Sequence, residues 1–179
     1  MLNVRTEFGF ERTECACEAC TRYCFHLPGA LIPADLNAIS AYLGYDDLVR
    51  FAVENLLASP GAIVSVNGFQ IRIPTLVPQR GLGGACKFLR DNRCSIHANA
   101  PYSCAFFRAE QDQREADARS LRGIQAIAQE WSAGGIYARL WMLLHSMGLV
   151  APSPIEARER MRREAQEKKK RAESMARKT

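Results

Sequence analysis

Along this chain, stretches with helical spacing surround one short stretch with strand spacing. After Pro33-Ala34-Asp35 the apolar residues Leu36, Ile39 and Leu43 recur every three or four positions, which predicts a short amphipathic helix ended by Gly44. Asp46 and Asp47 can cap a second helix with Leu48, Phe51, Ala52 and Leu56 on its apolar face, stopping before Ser59-Pro60-Gly61. Ala62 to Val66 and Phe69 to Ile73 are β-branched or alternating runs on either side of Asn67-Gly68. That dipeptide tolerates the positive φ values of a two-residue type I′ turn, so a β-hairpin is expected there.

Helical spacing returns after Gln111. Ala118, Leu121, Ile124, Ala128 and Trp131 mark one face, Gly134-Gly135 interrupts it, and Ile136, Leu140, Leu143, Leu144 and Met147 mark the next. A helical pair follows from that break. Beyond Pro152 and Pro154 there is no aromatic residue and little bulk to bury, although Glu, Arg, Lys and Ala favour helix. Two parts are therefore expected: a packed domain over 1–151 and a charged, solvated helical or disordered tail over 152–179.

Charge divides at the same place. The 179 residues hold 24 basic and 19 acidic side chains, a net of +5. Residues 153–179 hold ten of the basic and five of the acidic groups, so the tail alone accounts for +5 and the remainder, with 14 of each sign, is neutral. A basic pI that would otherwise point to nucleic acid or an anionic membrane thus bears on the tail only. With acidic residues interleaved and no aromatic available for base stacking, nucleic acid is a disfavoured partner there, while a protein partner through the tail stays open.

The seven cysteines form two groups: Cys15-x-Cys17-x2-Cys20-x3-Cys24, and Cys86-x7-Cys94-x9-Cys104 with His97 inside the last interval. Isolated cysteines usually serve as small buried hydrophobes, but seven in two groups point to ligation. Thiolates are soft anionic donors suited to zinc or iron, and two or three intervening residues let successive sulfurs face one ion. The candidate ligands are Cys15, Cys17, Cys20, Cys24, Cys86, Cys94, Cys104 and His97. His26 is a weaker candidate, and His145, between Leu144 and Met147, reads as a packing residue. One tetrahedral ion needs four of these donors and two ions need eight. An iron-sulfur cluster competes with zinc, because Cys17-x2-Cys20-x3-Cys24 echoes the end of the bacterial ferredoxin pattern, although no Pro follows Cys24. Lys87, Arg90, Arg93 and Arg108 flank the second group against Asp91 alone, which suits a cluster of anionic sulfurs.

Taken together, Cys17-x2-Cys20-x3-Cys24, Pro28-Gly29, Cys86-Lys87-Phe88-Leu89, Cys94-Ser95-Ile96-His97 and Pro101-x2-Cys104-x-Phe106-Phe107 resemble the YkgJ-type cysteine-cluster proteins of bacteria, described as zinc- or iron-chelating. The likeness spans roughly residues 15–107. The family's first group commonly reads C-x2-C-x2-C-C, so the spacing here departs from it and leaves the ligand places in that group open. The resemblance implies a metal-binding protein and supplies no substrate. Phe88, Leu89, Ile96, Phe106 and Phe107 are the apolar residues that would shield such a site.

The fold expected from these patterns is α+β and mainly helical, with an irregular metal-bound cysteine-cluster region, a small β-hairpin and a C-terminal helical pair. No apolar run suited to a signal peptide occupies the first twenty residues, and Ile136 to Ala151 is interrupted by Arg139 and His145, so a cytoplasmic protein with no membrane span is expected. No Ser-His-Asp order, HExxH motif, dinucleotide fingerprint or P-loop identifies a reaction; Gly81-Leu82-Gly83-Gly84 lacks the Lys-Ser/Thr of a phosphate loop and leads directly to Cys86. The functions left open are a structural or metal-handling role, an iron-sulfur or non-haem iron redox protein, and an adaptor that uses the tail.

Overall fold

The computed structural model describes residues 18–66, 69–81, 84–107 and 110–176. In chain order these form α1 (Glu18–His26), α2 (Pro33–Tyr42), α3 (Leu48–Asn55), a hairpin of β1 (Leu56–Val66) and β2 (Phe69–Pro78), a two-residue ribbon of β3 (Leu89–Arg90) and β4 (Arg93–Cys94), a 3-10 turn (His97–Asn99), α4 (Tyr102–Ala105), α5 (Gln113–Ala133), α6 (Ile136–Ser146) and α7 (Pro154–Ala176). The fold is mainly helical with small antiparallel sheets, as the periodicities predict.

The two short helices begin and end as their sequences dictate. Pro33 opens α2, where its missing N–H costs nothing, and Gly44 closes it at φ +76°. Asp47 Oδ1 accepts the Val49 N–H at 2.8 Å and so satisfies a donor that the first turn of α3 leaves over. Leu36, Ile39, Phe51 and Ala52 then enter the core as the spacing requires.

The hairpin is longer than the expected runs. β1 starts at Leu56, which the spacing had placed on a helix, and Ser59-Pro60-Gly61 lies within the strand instead of before it. The physical reason is a bulge: the register with β2 shifts between Ser59 and Ala62, and Gly61 sits at φ +78°, with the Ile73 carbonyl occupying the space a Cβ would need. Pro and Gly that would break a regular strand are accommodated at such an irregularity. Two indoles bind carbonyls in this region: Trp141 Nε1 donates to Ser59 O at 2.8 Å and Trp131 Nε1 to Pro74 O at 3.0 Å. Val66 pairs with Phe69, consistent with a two-residue connection, while Asn67 and Gly68 themselves lie outside the described residues.

Tyr137 locks the hairpin to the chain that follows α1. Leu31 N–H donates to Leu76 O at 2.8 Å, while the buried Tyr137 hydroxyl accepts from Leu76 N–H at 2.8 Å and donates to Leu31 O at 2.7 Å. One phenol thus completes a bridge between two backbones. Leu31, Leu36, Phe51, Leu56, Leu76, Tyr102, Phe106, Leu140 and Leu144 pack in the same cluster.

The expected helical pair is present, with Gly134 at φ +61° between α5 and α6. The buried face of α5 is shifted from the one read from spacing: Gly123 and Ile127 point inward, Ile124, Ala128 and Trp131 are half-buried, and Leu121 is 54% exposed. Gly123 is chosen by a neighbour, since a Cβ there would lie 2.9 Å from the Tyr102 ring. On α6, Leu140 and Leu144 are buried, but Met147 is exposed.

After α6 the backbone runs alongside β1, with Ala58 N–H donating to Leu149 O and Ala151 N–H to Ala58 O, each at 2.8 Å. It then enters α7, whose described side chains are mostly exposed, in line with their charge. Ala157 is buried, however, and Met161 and Ala165, one and two turns on, are half-buried. α7 meets α1: Arg22 donates to Met161 O at 3.2 Å, and His26 Nε2 lies 3.1 Å from Glu164 Oε2. Among the described residues no helix is long and apolar enough to cross a membrane.

Candidate metal centre

The first cysteine group is not irregular where it is described. Cys20 and Cys24 lie on α1 four residues apart, and so on one face. Cys15 and Cys17 lie outside the described residues. Two backbone links bring this helix and the chain beyond it to the second group. Cys86 N–H donates to the Cys24 carbonyl at 2.7 Å, and Ser103 N–H donates to Ala30 O at 3.2 Å.

Within the second group the chain folds back on itself. Leu89 N–H donates to Cys86 O at 2.9 Å and Ser95 N–H to Phe88 O at 2.8 Å, so the ribbon returns Cys94 to the level of Leu89. Asp91 and Asn92 make its turn at φ +49° and +59°, a region that Asn and Asp enter more readily than other side chains. Cys104 follows on α4, whose start is held by a buried carboxylate: Asp35 Oδ2 accepts Tyr102 N–H at 2.9 Å and Ile32 N–H at 2.7 Å. Gly29 makes room beside it, because a Cβ there would be 2.5 Å from Cys104 Sγ and 2.7 Å from the Ser103 carbonyl carbon.

Cys24, Cys86, Cys94 and Cys104 are close enough for their charges to act on one another. None of them, nor Cys20, is in a disulfide. Burial, reinforced by the Cys94 charge, raises the Cys24 thiol above its ordinary range. Burial likewise pushes Cys86 up to about 12 and holds Cys104 well above the usual thiol value, with neighbouring cysteines adding to both. Backbone N–H groups oppose this shift by favouring thiolate, those of Phe88 and Leu89 at Cys86 and that of Gly29 at Cys104. Phe88, Ile96 and Phe106 are buried in the core cluster that also holds Cys86, and Leu89, Phe107, Cys24, Cys94 and Cys104 pack against it.

The donor set fits a soft cation. Buried and half-buried thiols near one another repel as anions, and a divalent ion that replaces their protons reduces the repulsion and the desolvation penalty. Among the described residues, no group of three or more His, Cys, Asp or Glu side chains is placed to hold a metal ion.

The other candidates have separate places. His97 opens the 3-10 turn three residues after Cys94. His26 faces Glu164, and His145 stacks on Trp141 with ring centroids 4.8 Å apart, the packing role expected of it. Lys87 Nζ donates to Glu54 O at 2.6 Å, Arg90 and Arg93 are exposed, and Arg108 lies outside the described residues.

The cation most involved in the framework of the site, Arg80, has no marker in the sequence. It pairs with Cys86 in an antiparallel bridge across the glycine loop. Gly29 and Asp35 carried no ligand signal either, since one acts by lacking a side chain and the other through backbone N–H groups. No curated protein and no solved structure matches the chain. A family model does match residues 16–121, more than half of the chain and the whole of the described thiol group, and on that match the protein belongs to the CxxCxxCC family, whose description reads "Putative zinc- or iron-chelating domain".

Proposed function

We propose that Cys24, Cys86, Cys94 and Cys104 bind a zinc or iron ion in a structural or metal-handling role. One observation carries this reading: thiols from three separate segments, α1, the 86–94 ribbon and α4, share one shielded neighbourhood. A packed core has no need to gather four cysteines, whereas a soft cation does. Cys20, one turn before Cys24, is the next candidate, followed by Cys15, Cys17 and His97, which could complete a second ion or replace a member of the four. The ion would join the amino-terminal helix to the 86–104 segment and add its binding energy to folding. The setting that suits clustered thiols is a reducing cytoplasm, in a bacterial protein of this family.

The test is elemental analysis with an absorption spectrum on protein purified without oxygen. The expected result is stoichiometric zinc or iron, reduced by at least half in Cys86→Ser and Cys104→Ser variants. Iron with acid-labile sulfide and visible absorption would move the reading to an iron-sulfur redox protein, and protein without metal after expression in metal-supplemented medium would reject it.

A further inference from the structure

Arg80 touches both halves of the thiol framework through backbone oxygens. Its guanidinium donates to Phe25 O at 3.2 Å, to His26 O at 2.7 Å and to Gly84 O at 2.6 Å. The first two carbonyls end α1, the helix that carries Cys20 and Cys24. The third belongs to the loop that leads into Cys86. Carbonyls of a last helical turn lack intrahelical partners and carry the negative end of the helix dipole, which makes them natural acceptors for a planar cation with donors in a fixed fork. Arg80 is also paired with Cys86 through the backbone, Gly81 N–H donating to Ala85 O at 2.8 Å and Lys87 N–H to Gln79 O at 2.9 Å. Its charge is within electrostatic reach of Arg160 on α7 first and of the Cys86 sulfur second.

On the reading that the thiols bind a metal, we propose that Arg80 is the positioning residue of the site: its guanidinium fixes α1 against the Cys86 loop. Arginine is required over lysine because a single ammonium cannot span three carbonyls from two segments with fixed geometry. The arrangement is a support for the ligands, of the kind whose removal weakens metal sites without touching a metal bond.

The experiment loads the full-length apo-protein with zinc(II) against a chromophoric chelator and with cobalt(II) for its ligand-field spectrum, in wild type, Arg80→Met, Arg80→Lys and Cys104→Ser. The expected result is zinc affinity about 10- to 100-fold lower in Arg80→Met, the range typical of lost supporting contacts. Arg80→Lys should recover only part of it, and the cobalt bands should shift in both variants. Zinc affinity and cobalt spectrum within twofold of wild type in Arg80→Met, with Cys104→Ser severely impaired, would overturn the role of Arg80 and leave the metal site standing. Wild-type binding in Cys104→Ser would instead overturn the metal-site reading and this inference with it. Should Arg80→Met fail to fold, Arg80→Lys decides: faster zinc release with an unchanged apo melting curve supports the inference, and an unchanged release rate overturns it.

Discussion

At the scale of single residues, the groups that hold this molecule together bind backbone rather than one another. Tyr137 is fully buried and joins Leu31 to Leu76 through one hydroxyl. Replacing it with Phe leaves the Leu76 N–H without its acceptor, and a loss of about 1–3 kcal/mol is expected by denaturant titration. The same phenol has its pKa raised, by burial first and by the Asp35 charge as well, against the Leu76 N–H, which favours phenolate. Its contribution is therefore fully present below the unfolded tyrosine value of about 10 and is lost as the pH rises from there toward the folded value. Above about pH 10 the wild type should lose stability more steeply than Tyr137→Phe, a comparison in which the cysteine contributions common to both chains cancel. Asp35 and Gly29 follow the same rule: one accepts backbone N–H groups from two segments and the other gives up a side chain to admit Cys104. Such roles are hard to read from sequence, because an aspartate or a glycine looks the same whether its partner is solvent or a distant backbone.

At the scale of elements, local signals located most helices and the turn of the hairpin, and they failed where a tertiary neighbour set the outcome. Asp47, Gly44 and Gly134 act within a few residues of themselves, so the end of α2, the start of α3 and the end of α5 were legible. The strand entry at Leu56 was not, because Ser59-Pro60-Gly61 reads as a breaker until the bulge and the partner strand accommodate it. The inward face of α5 depended on Tyr102, which needs the small Gly123 opposite it. α7 combines a charge pattern that favours solvent with a narrow shielded stripe at Ala157, Met161 and Ala165, and it meets α1 through Met161 O and Glu164. A large charged group at the buried Ala157 would lift α7 away. In Ala157→Arg, amide hydrogen exchange along α1 should therefore accelerate, while the core around Phe51 and Leu140 keeps its protection.

At the scale of the whole molecule, the net charge of +5 and the thiols occupy different parts of the chain, and α1, which carries Cys20 and Cys24, contacts the charged α7. Under the proposed metal binding, zinc added to apo-protein should raise the melting temperature in a concentration-dependent way, and a chelator should reverse the rise, as calorimetry can record. No change at saturating zinc would mean that the ion, if bound, contributes nothing to folding. The candidate donors stood out because cysteines are few, chemically distinctive and grouped, and because family spacing lets short motifs stand out from the rest of the chain. Composition and spacing alone determined a mainly helical chain, a hairpin at Asn67-Gly68 and a pool of eight candidate ligands. Only the tertiary structure placed the segments relative to one another: α1, the 86–94 ribbon and α4 are joined by backbone hydrogen bonds, a guanidinium and a buried carboxylate from segments far apart in sequence. Helical and hairpin preferences act over a few residues and are written locally, whereas the convergence of distant sulfurs depends on contacts between segments, and no single stretch of sequence contains both sides of such a contact.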